Sequence, residues 1–404
     1  MALRRFLRML GAACLTASLS LSASVAAPLA DSRCPISALV DASFRDAAVS
    51  MLERLAIRAP GQPADGAVRA HETAGFLDTQ GHAWHQVSAY QVNLGVIGAL
   101  GVGTRALPLA GDWLRWQARH IAATGPSRGV VLDTWVRADT LEQSTCPTGM
   151  ATRLCSDVDA YDSTAASTLL LADAFHRRGG DVLLLREPAV RQALEAAAAA
   201  ILDLTGTDGL TFAKPTHPVA YTMDQVEVAA SWRAWARLQR DAYSQPASAI
   251  NSLELAVRSE NAVHSWLALK SAWAVSRGSG MPIRSRWYPD TVAQAWPLLW
   301  LPESTRAAAS THAFWSQAIA PWQSQHNPNW ATSNVDPDGF WWPAAAVAAL
   351  CNGDEAGARV WVQRARRTWM DPAAPFAWPF QVGDLLWLLW MAEPLPDATT
   401  PRQL

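Results

Sequence analysis

The segment Asp157-Val-Asp-Ala-Tyr-Asp162 stands directly before an apolar helical stretch, and its pattern decides the fold because it recurs along the chain. Three later segments also place acidic and aromatic residues in front of a predicted helix: Tyr221-Thr-Met-Asp-Gln-Val-Glu227, Trp287-Tyr-Pro-Asp290 and Asp336-Pro-Asp-Gly-Phe-Trp-Trp342. Each of the four segments stands at the start of an even-numbered helix of the predicted series. If the helices alternate up and down, alternate helix starts meet at one end of the array. We therefore expect these acids and aromatic rings to converge on one rim.

Apolar periodicity and helix-breaking residues predict twelve helices. Their ranges are 37–57, 87–102, 106–123, 162–178, 186–204, 221–241, 247–276, 289–300, 303–320, 339–351, 354–370 and 380–392. Pro297 lies inside the eighth range and predicts a kink or an early end there. The extended segments 130–136 and 210–213 predict small β-hairpins on the same rim.

These elements predict an all-α fold. Twelve helices in sequential hairpins close most economically into a ring, an (α/α)6 toroid or barrel of six helical hairpins. The alternative, a helical solenoid, would show a sequence repeat. No linker rich in Pro or Ser divides the chain, so residues 28–404 are predicted to form one barrel domain.

The composition argues against one class of partner and indicates one kind of surface. The net charge of −2 provides no basic field, so nucleic acid is not an expected partner. The chain has 21 Trp against 9 Phe and 5 Tyr. A buried Trp needs a partner for its indole N–H, so this excess indicates exposed stacking surfaces, although many of these rings are expected to fill the core.

The N-terminus has the pattern of a secretory signal peptide over residues 1–27. Arg4, Arg5 and Arg8 precede the apolar stretch 9–21, and small residues follow it. The apolar run is too short for a membrane span, and charges interrupt every later apolar stretch. The mature protein is therefore expected to be periplasmic or secreted and to act as a monomer.

Four cysteines follow this segment, and an even number in an exported chain favours disulfide bonds. Cys146 and Cys155 flank a short loop and are expected to pair locally, which leaves Cys34 to pair with Cys351. These spacings match no zinc signature, and we expect neither a metal nor a cofactor.

Two acidic pairs are the candidate catalytic residues. Asp159 and Asp162 stand three residues apart at a predicted helix start, where the helix dipole favours ionised carboxylates and hence a base; plain helix capping is the alternative. Asp224 and Glu227 share a helical face beside apolar neighbours, which would raise a pKa and suit a general acid. Alternatively, Glu227 forms a structural ion pair with an arginine such as Arg153 or Arg233.

The candidate substrate-binding residues flank these acids. Four tryptophans are expected to stack on sugar rings, and the other residues are expected to contact the substrate through hydrogen bonds or charge. Asp290 or Asp338 is expected to hold the sugar beside the cleaved bond. The alternative for each one alone is ordinary packing in the core. The set is Trp84, His85, Tyr90, Lys214, Tyr221, Trp287, Tyr288, Asp290, Asp338, Trp341 and Trp342.

Three stretches resemble the six-hairpin glycosidase superfamily of (α/α)6 barrels. They are Asp159-Ala-Tyr-Asp162-Ser-Thr-Ala-Ala166, Leu210-Thr-Phe-Ala-Lys214-Pro followed by Met223-Asp224-x-x-Glu227, and Trp287-Tyr-Pro-Asp290-Thr with Gln294-Ala-Trp296-Pro-Leu. The resemblance extends over nearly all of the mature chain. It implies a sugar-processing barrel, in a superfamily that includes hydrolases of opposite stereochemistry, phosphorylases and lyases.

The leading hypothesis is an exported glycoside hydrolase that cleaves a polysaccharide or an oligosaccharide by carboxylate acid/base catalysis. One alternative is a polysaccharide lyase, with Tyr221, His85 or His217 as the base and Lys214 or an arginine neutralising a uronate. The other is a non-catalytic glycan-binding protein of exopolysaccharide assembly, which would keep the aromatic groove without a productive pair of carboxyl groups.

Overall fold

The computed structural model describes residues 38–152, 155–302, 308–323 and 328–393. The predicted signal peptide and Cys34 lie outside these ranges. The α-helices within them are α1 (Ala42–Leu55), α2 (Ala89–Val102), α3 (Leu107–His120), α4 (Tyr161–Arg177), α5 (Val182–Arg186), α6 (Pro188–Leu204), α7 (Thr222–Arg237), α8 (Pro246–Leu267), α9 (Val292–Trp300), α10 (Ala308–Ile319), α11 (Pro343–Cys351), α12 (Glu355–Trp369) and α13 (Leu385–Trp390).

Six of these helices form a closed inner ring. Following the chain, α2 contacts α4, α4 contacts α7, α7 contacts α9, α9 contacts α11, α11 contacts α13, and α13 returns to α2. An inner helix has neighbours on all sides, and its sequence is correspondingly apolar around its whole circumference. Every residue of α11, for example, is buried. The predicted (α/α)6 barrel is confirmed.

The outer helices are amphipathic and pack on the ring with one face. In α12, Ala358, Trp361, Val362, Ala365 and Trp369 are buried, which is the spacing of a single helical stripe. The helices α1, α3, α6, α8 and α10 likewise lie against the inner ring. The first and last described segments meet where the Val40 amide donates to the carbonyl of Met391 at 2.9 Å.

A small antiparallel sheet lies between these helices, with the strand order β1 (Phe76–Leu77), β2 (Ala83–Val87), β3 (Thr134–Arg137) and β4 (Gln143–Ser144). The extended segment predicted at 130–136 contributes only its end to β3. The predicted strand at 210–213 forms a single bridge, between Thr205 and Thr211. β2 was not predicted, because its short alternating pattern runs directly into a helix.

Helix boundaries differ from the prediction where the chain turns. The helix predicted over 247–276 ends at Leu267, because Ala268 is extended and pairs with Trp273 across a tight turn. Pro297 lies inside α9, which continues past it to Trp300, the predicted boundary, so the early end expected at Pro297 is not found. Residues 303–307 of the predicted ninth helix lie outside the described ranges.

The predicted local disulfide is present, because Cys146 and Cys155 are bonded with an S–S distance of 2.04 Å. The predicted bond between Cys34 and Cys351 stays a prediction, since Cys34 lies outside the described ranges. None of the described helices is long and apolar enough to cross a membrane.

Candidate active site

The starts of all six inner helices border one cavity of about 880 Å³. Tyr90 comes from the start of α2, Ser163 from α4, Asp224 from α7 and Ala293 from α9. Trp342 immediately precedes α11, and Gln381 comes just before α13. The predicted convergence of alternate helix starts on one rim is therefore confirmed.

Asp224, the third residue of α7, has its carboxyl group in this cavity. Among the described residues it has no hydrogen bond and no ion pair. Burial raises the pKa of Asp224 well above its usual range, and the negative charges of Asp162, Glu227 and Asp159 raise it further. The raised pKa favours the protonated form of Asp224, which can donate a proton.

Asp159 lies two residues before α4, and its exposed side chain also lines the cavity. It has no hydrogen bond or ion pair within the part of the chain that the structure describes. Its charge acts on the titrating groups of Asp224, Tyr221 and Tyr288, so all three are its neighbours in the cavity. An exposed carboxyl group thus stands near one whose pKa is raised.

Glu227 lies one helical turn beyond Asp224 and is buried beneath the cavity. The Tyr90 hydroxyl and the Trp296 indole N–H each donate to its Oε1 at 2.8 Å. Burial raises the pKa of Glu227 to about 8, although both hydrogen bonds oppose the rise. Tyr90 and Trp296 line the cavity and Glu227 does not, so it supports the floor of the site.

The alternative structural ion pair of Glu227 is not found among the described residues. Arg233 instead pairs with Glu260, with Nε 2.6 Å from the carboxylate. Arg153 lies outside the described ranges. Glu227 is therefore held by neutral donors, and no cation among the described residues pairs with it to favour the ionised form.

Asp162, the other candidate base, is fully buried and does not line the cavity. Its Oδ1 accepts the Ser163 amide at 2.8 Å, and its Oδ2 accepts the Thr211 hydroxyl at 2.6 Å. Burial raises its pKa to about 6. Asp162 thus joins the start of α4 to the neighbouring loop, and Asp159 is the residue of this pair that a ligand can reach.

An aromatic wall stands in the same cavity. The rings of Tyr288 and Trp342 stack with their centroids 4.8 Å apart and their planes within 16°. Trp342 has a left-handed backbone with φ of 48°, a conformation that costs a non-glycine residue about 1–3 kcal/mol and is concentrated at functional sites. Its indole N–H donates to Asp336 at 2.7 Å, so this conformation is held in place.

The three other predicted stacking tryptophans are corrected by the structure. Trp84 is buried and donates to Asp78, Trp287 packs against Trp322, and Trp341 packs against Trp361 and Trp369. None of the three lines the cavity. In both aromatic pairs, Trp287-Tyr288 and Trp341-Trp342, one ring packs in the core and the next faces the site.

Three predicted polar contacts are also wrong. Asp290 is buried, accepts the Ile283 amide at 2.7 Å and forms an ion pair with Arg286. Asp338 is exposed but lies outside the cavity, and Asp336 is the acid that holds the wall. His85 does not line the cavity, because successive side chains of β2 point to opposite faces and Gln86 is the one that does.

Lys214 and Tyr221 do line the cavity, as predicted. The Lys214 ammonium lies 2.6 Å from Asp157 and also donates to the Val158 carbonyl at 3.0 Å. Its charge is thus neutralised by the protein itself. The Tyr221 hydroxyl shares a hydrogen bond with His217 Nε2 at 2.9 Å.

Sequence reasoning missed several cavity residues, of which Asp133 is the most notable. Gln86 donates to Oδ2 of Asp133 at 2.8 Å, and burial raises the pKa of Asp133 to about 6. A signal was available, because Asp133 is the only charged residue in the apolar segment 130–136. Trp378 and Trp296 are two further cavity residues absent from the predicted set.

Comparison with known proteins was informative only at the level of structure. No protein-family model matches the chain, and no curated protein matches its sequence. The structure is similar to that of a wild-type glycosidase, with a TM-score of 0.55 and 14% sequence identity, over 86% of this chain and 95% of that one. It is similarly close to a variant glycosidase in complex with glucose, with a TM-score of 0.54 and 14% identity over 87% of this chain and 94% of the other. At such identities the likeness concerns architecture alone, and this chain has the helical-barrel fold of those glycosidases, as the six-hairpin resemblance implied.

Proposed function

We propose that the protein is a glycoside hydrolase in which Asp224 is the general acid and Asp159 is the base. One observation carries this proposal: Asp224, which has a raised pKa and no described partner, shares a cavity that has an aromatic wall with the exposed carboxyl group of Asp159. Glycosidases commonly use such a pair of carboxyl groups in opposite protonation states. The similarity to glycosidase structures supports the same conclusion.

The proposed chemistry needs one proton donor and one acceptor. As the glycosidic C–O bond breaks, Asp224 transfers its proton to the leaving oxygen. A water molecule forms the new bond to the anomeric carbon, and the Asp159 carboxylate takes up its proton. Tyr288 and Trp342 offer apolar faces on which the sugar ring packs while the polar groups orient it.

The surroundings of Asp224 support its role as the acid. Its pKa is raised by burial and by neighbouring negative charges, and no described cation lowers it. Glu227 is proposed as a positioning residue, because its charge acts on Asp224 while its own Oε1 is bound to Tyr90 and Trp296. Burial, the first cause of the raised pKa, thereby favours the protonated form that an acid catalyst needs.

The lyase alternative is less well supported. A lyase acting on uronates needs a cation to neutralise the substrate carboxylate, but Lys214 already pairs with Asp157. Lys214 is the only Lys or Arg among the described residues that line the cavity, whereas Asp133, Asp159 and Asp224 are acidic. Such a cavity repels uronates and accepts neutral sugars.

We also propose that the enzyme acts outside the cytoplasm. The N-terminal pattern of basic, apolar and small residues supports export. The bond between Cys146 and Cys155 supports it independently, because disulfide bonds persist mainly in oxidising compartments. Sequencing the N-terminus of the mature protein from a periplasmic extract and from the culture medium tests this proposal.

The decisive experiment is the release of reducing ends from a panel of neutral polysaccharides and oligosaccharides. Asp224→Asn and Asp159→Asn should each lower turnover by at least about 100-fold, because general acid or base assistance contributes about 10²–10⁴-fold. Both variants should melt near the wild-type temperature. The matched control is Asp338→Asn, which alters an exposed aspartate outside the cavity and should retain full activity.

Two outcomes would overturn the proposal. Binding of a glycan without any product would favour the non-catalytic alternative. An unsaturated product that absorbs in the ultraviolet would favour the lyase.

A further inference from the structure

A row of aromatic side chains leads from the cavity floor to its mouth. Trp296 on the floor lies 6.0 Å from Trp342, measured between ring centroids. Phe340 lies 6.3 Å from Trp342 and 5.4 Å from Trp378. These four residues are called the aromatic row below.

The two ends of the row differ in exposure. Trp296 is buried and donates its indole N–H to Glu227. Trp378 lines the same cavity, but 61% of its surface is exposed. A large aromatic ring exposed at a cavity mouth is a typical feature of a binding surface, because leaving it in water forgoes the stabilisation that its burial would give.

The position of Trp378 is defined by its contacts. Its ring centroid lies 5.6 Å from that of His71 and 5.4 Å from that of Phe340. His71 is itself placed by a 3.3 Å contact between its Nδ1 and the carbonyl of Phe380. An anchored ring loses little conformational freedom when a ligand packs on it, which favours binding.

The chemistry near Trp378 differs from that near the catalytic acids. Cavity residues on its side, such as His71, Gln91 and Gln381, carry no acidic group. The acids Asp159 and Asp224 have Tyr221 and Tyr288 as neighbours instead. The cavity therefore has an acidic region at Asp159 and Asp224 and a neutral, aromatic region at Trp378, which are linked through the stacked rings of Tyr288 and Trp342.

We propose that Trp378 forms a distal sugar-binding subsite, so that the protein acts on neutral chains of several sugar units in preference to disaccharides. This inference rests on the proposed function, since it assigns the reacting sugar to the region of Asp224. In the aromatic row, Phe340 and Trp342 stand between Trp378 and Trp296. A chain that reaches both regions gains a stacking contact that a shorter ligand lacks.

The test measures affinity against chain length. Calorimetry would use malto-, cello- and chito-oligosaccharides of two to six units, with the Asp224→Asn variant so that the chains stay intact. Affinity should rise with length in at least one series. Adding Trp378→Ala should weaken the longest chain of that series about tenfold and the disaccharide less than about twofold.

Two further variants control the test. Trp378→Phe keeps an aromatic ring and should recover part of the lost affinity. Trp266→Ala removes a tryptophan of the outer helix α8 that is 49% exposed and lies outside the cavity, and it should change nothing. Melting temperatures of all variants should match, because each altered side chain is largely exposed or conservatively replaced.

The failures of the two proposals are distinguishable. Hydrolysis that does not depend on chain length or on Trp378 would overturn the subsite and leave the hydrolase intact. Length-dependent binding through Trp378 without any hydrolysis would overturn the hydrolase and leave the subsite intact. Absence of binding by every series would overturn the subsite, and the assay of reducing ends would then decide the hydrolase separately.

Discussion

The helices α4 and α7 pack side by side, and acids lie at both ends of this pair. The acid at one end is paired with arginines, whereas the acids at the other end have no such partner. Asp173, near the end of α4, lies 2.7 Å from Arg237 and 2.9 Å from Arg177. Burial raises the pKa of Asp173, but the two arginine charges outweigh burial and the net shift is downward. At the other end, Asp224 and Glu227 have no cation beside them among the described residues, and the pKa of each is raised.

The contrast shows that helix packing alone does not explain why the acids at the cavity end have no cation beside them. Burying a carboxyl group is unfavourable unless it is paired, and the same two helices supply such a pair at Asp173. Leaving Asp224 without a partner therefore lowers stability where a neighbouring arginine could have prevented it. A protonated, reachable carboxyl group is what an acid catalyst requires, so we attribute this arrangement to function.

The largest effect should come from breaking the paired end. Asp173→Asn leaves Arg237 and Arg177 with an uncompensated buried charge, so the free energy of unfolding should fall by about 3–5 kcal/mol. Asp224→Asn leaves no buried cation without a partner, so it should leave the free energy of unfolding unchanged or slightly higher. Urea denaturation of both variants at pH 7 measures the difference. Equal losses in both would mean that Asp224 is structural.

A second prediction concerns the pH dependence of stability. The pKa of Glu227 is raised from 4.5 to about 8, so the folded protein holds this proton where the unfolded chain releases it. The stability that the protonated form of Glu227 contributes is complete below pH 4.5 and is lost as the pH rises through 8. Between pH 7 and pH 9 the free energy of unfolding of the wild type should therefore fall by about 1.4 kcal/mol more than that of Glu227→Gln, since one pKa unit corresponds to about 1.4 kcal/mol. Urea denaturation at both pH values measures the difference.

The matched control for this prediction is Glu260→Gln. Glu260 is also buried, but it is paired with Arg233 at 2.6 Å. This variant should keep the wild-type decline in stability between pH 7 and pH 9. Parallel curves for the wild type and Glu227→Gln would contradict the buried, uncompensated state of Glu227.

The ring of helices and the convergence of their starts could be predicted from sequence, because both follow from periodicity and alternation. The pair Asp224 and Glu227 could also be predicted, since a spacing of three residues places both on one face of a helix. The ion pair of Asp290 could have been predicted from Arg286, which stands four residues before it at the spacing of an ion pair. That signal was outweighed by the nearby aromatic residues.

Other features of the site depend on the backbone and not on residue type. Whether Trp341 or Trp342 faces the cavity is decided by the left-handed φ of Trp342, which no local pattern indicates. Asp133 stands far from the other acids in sequence, and it comes close to them in the folded chain, where its amide donates to the Asp157 carbonyl at 3.0 Å. Such tertiary placement separates Asp159 from Asp162 as well, although both stand at the same helix start.

The smallest effect should come from one hydroxyl group beneath the cavity. Tyr90→Phe removes one of the two donors to Glu227 Oε1, while Trp296 keeps the other. The free energy of unfolding should fall by about 1 kcal/mol at pH 6, where Glu227 is neutral. At pH 9 the fall should be about 1 kcal/mol larger, because hydrogen bonds to charged acceptors are stronger. Tyr243→Phe is the control, since its hydroxyl donates to the backbone carbonyl of Leu185 at 3.0 Å, a group that does not titrate. Urea denaturation at both pH values should therefore show a loss that grows with pH for Tyr90→Phe and stays constant for Tyr243→Phe. A loss for Tyr90→Phe that does not change with pH would mean that Glu227 keeps one protonation state across this range, and the unpaired acid at the cavity end would then need another explanation.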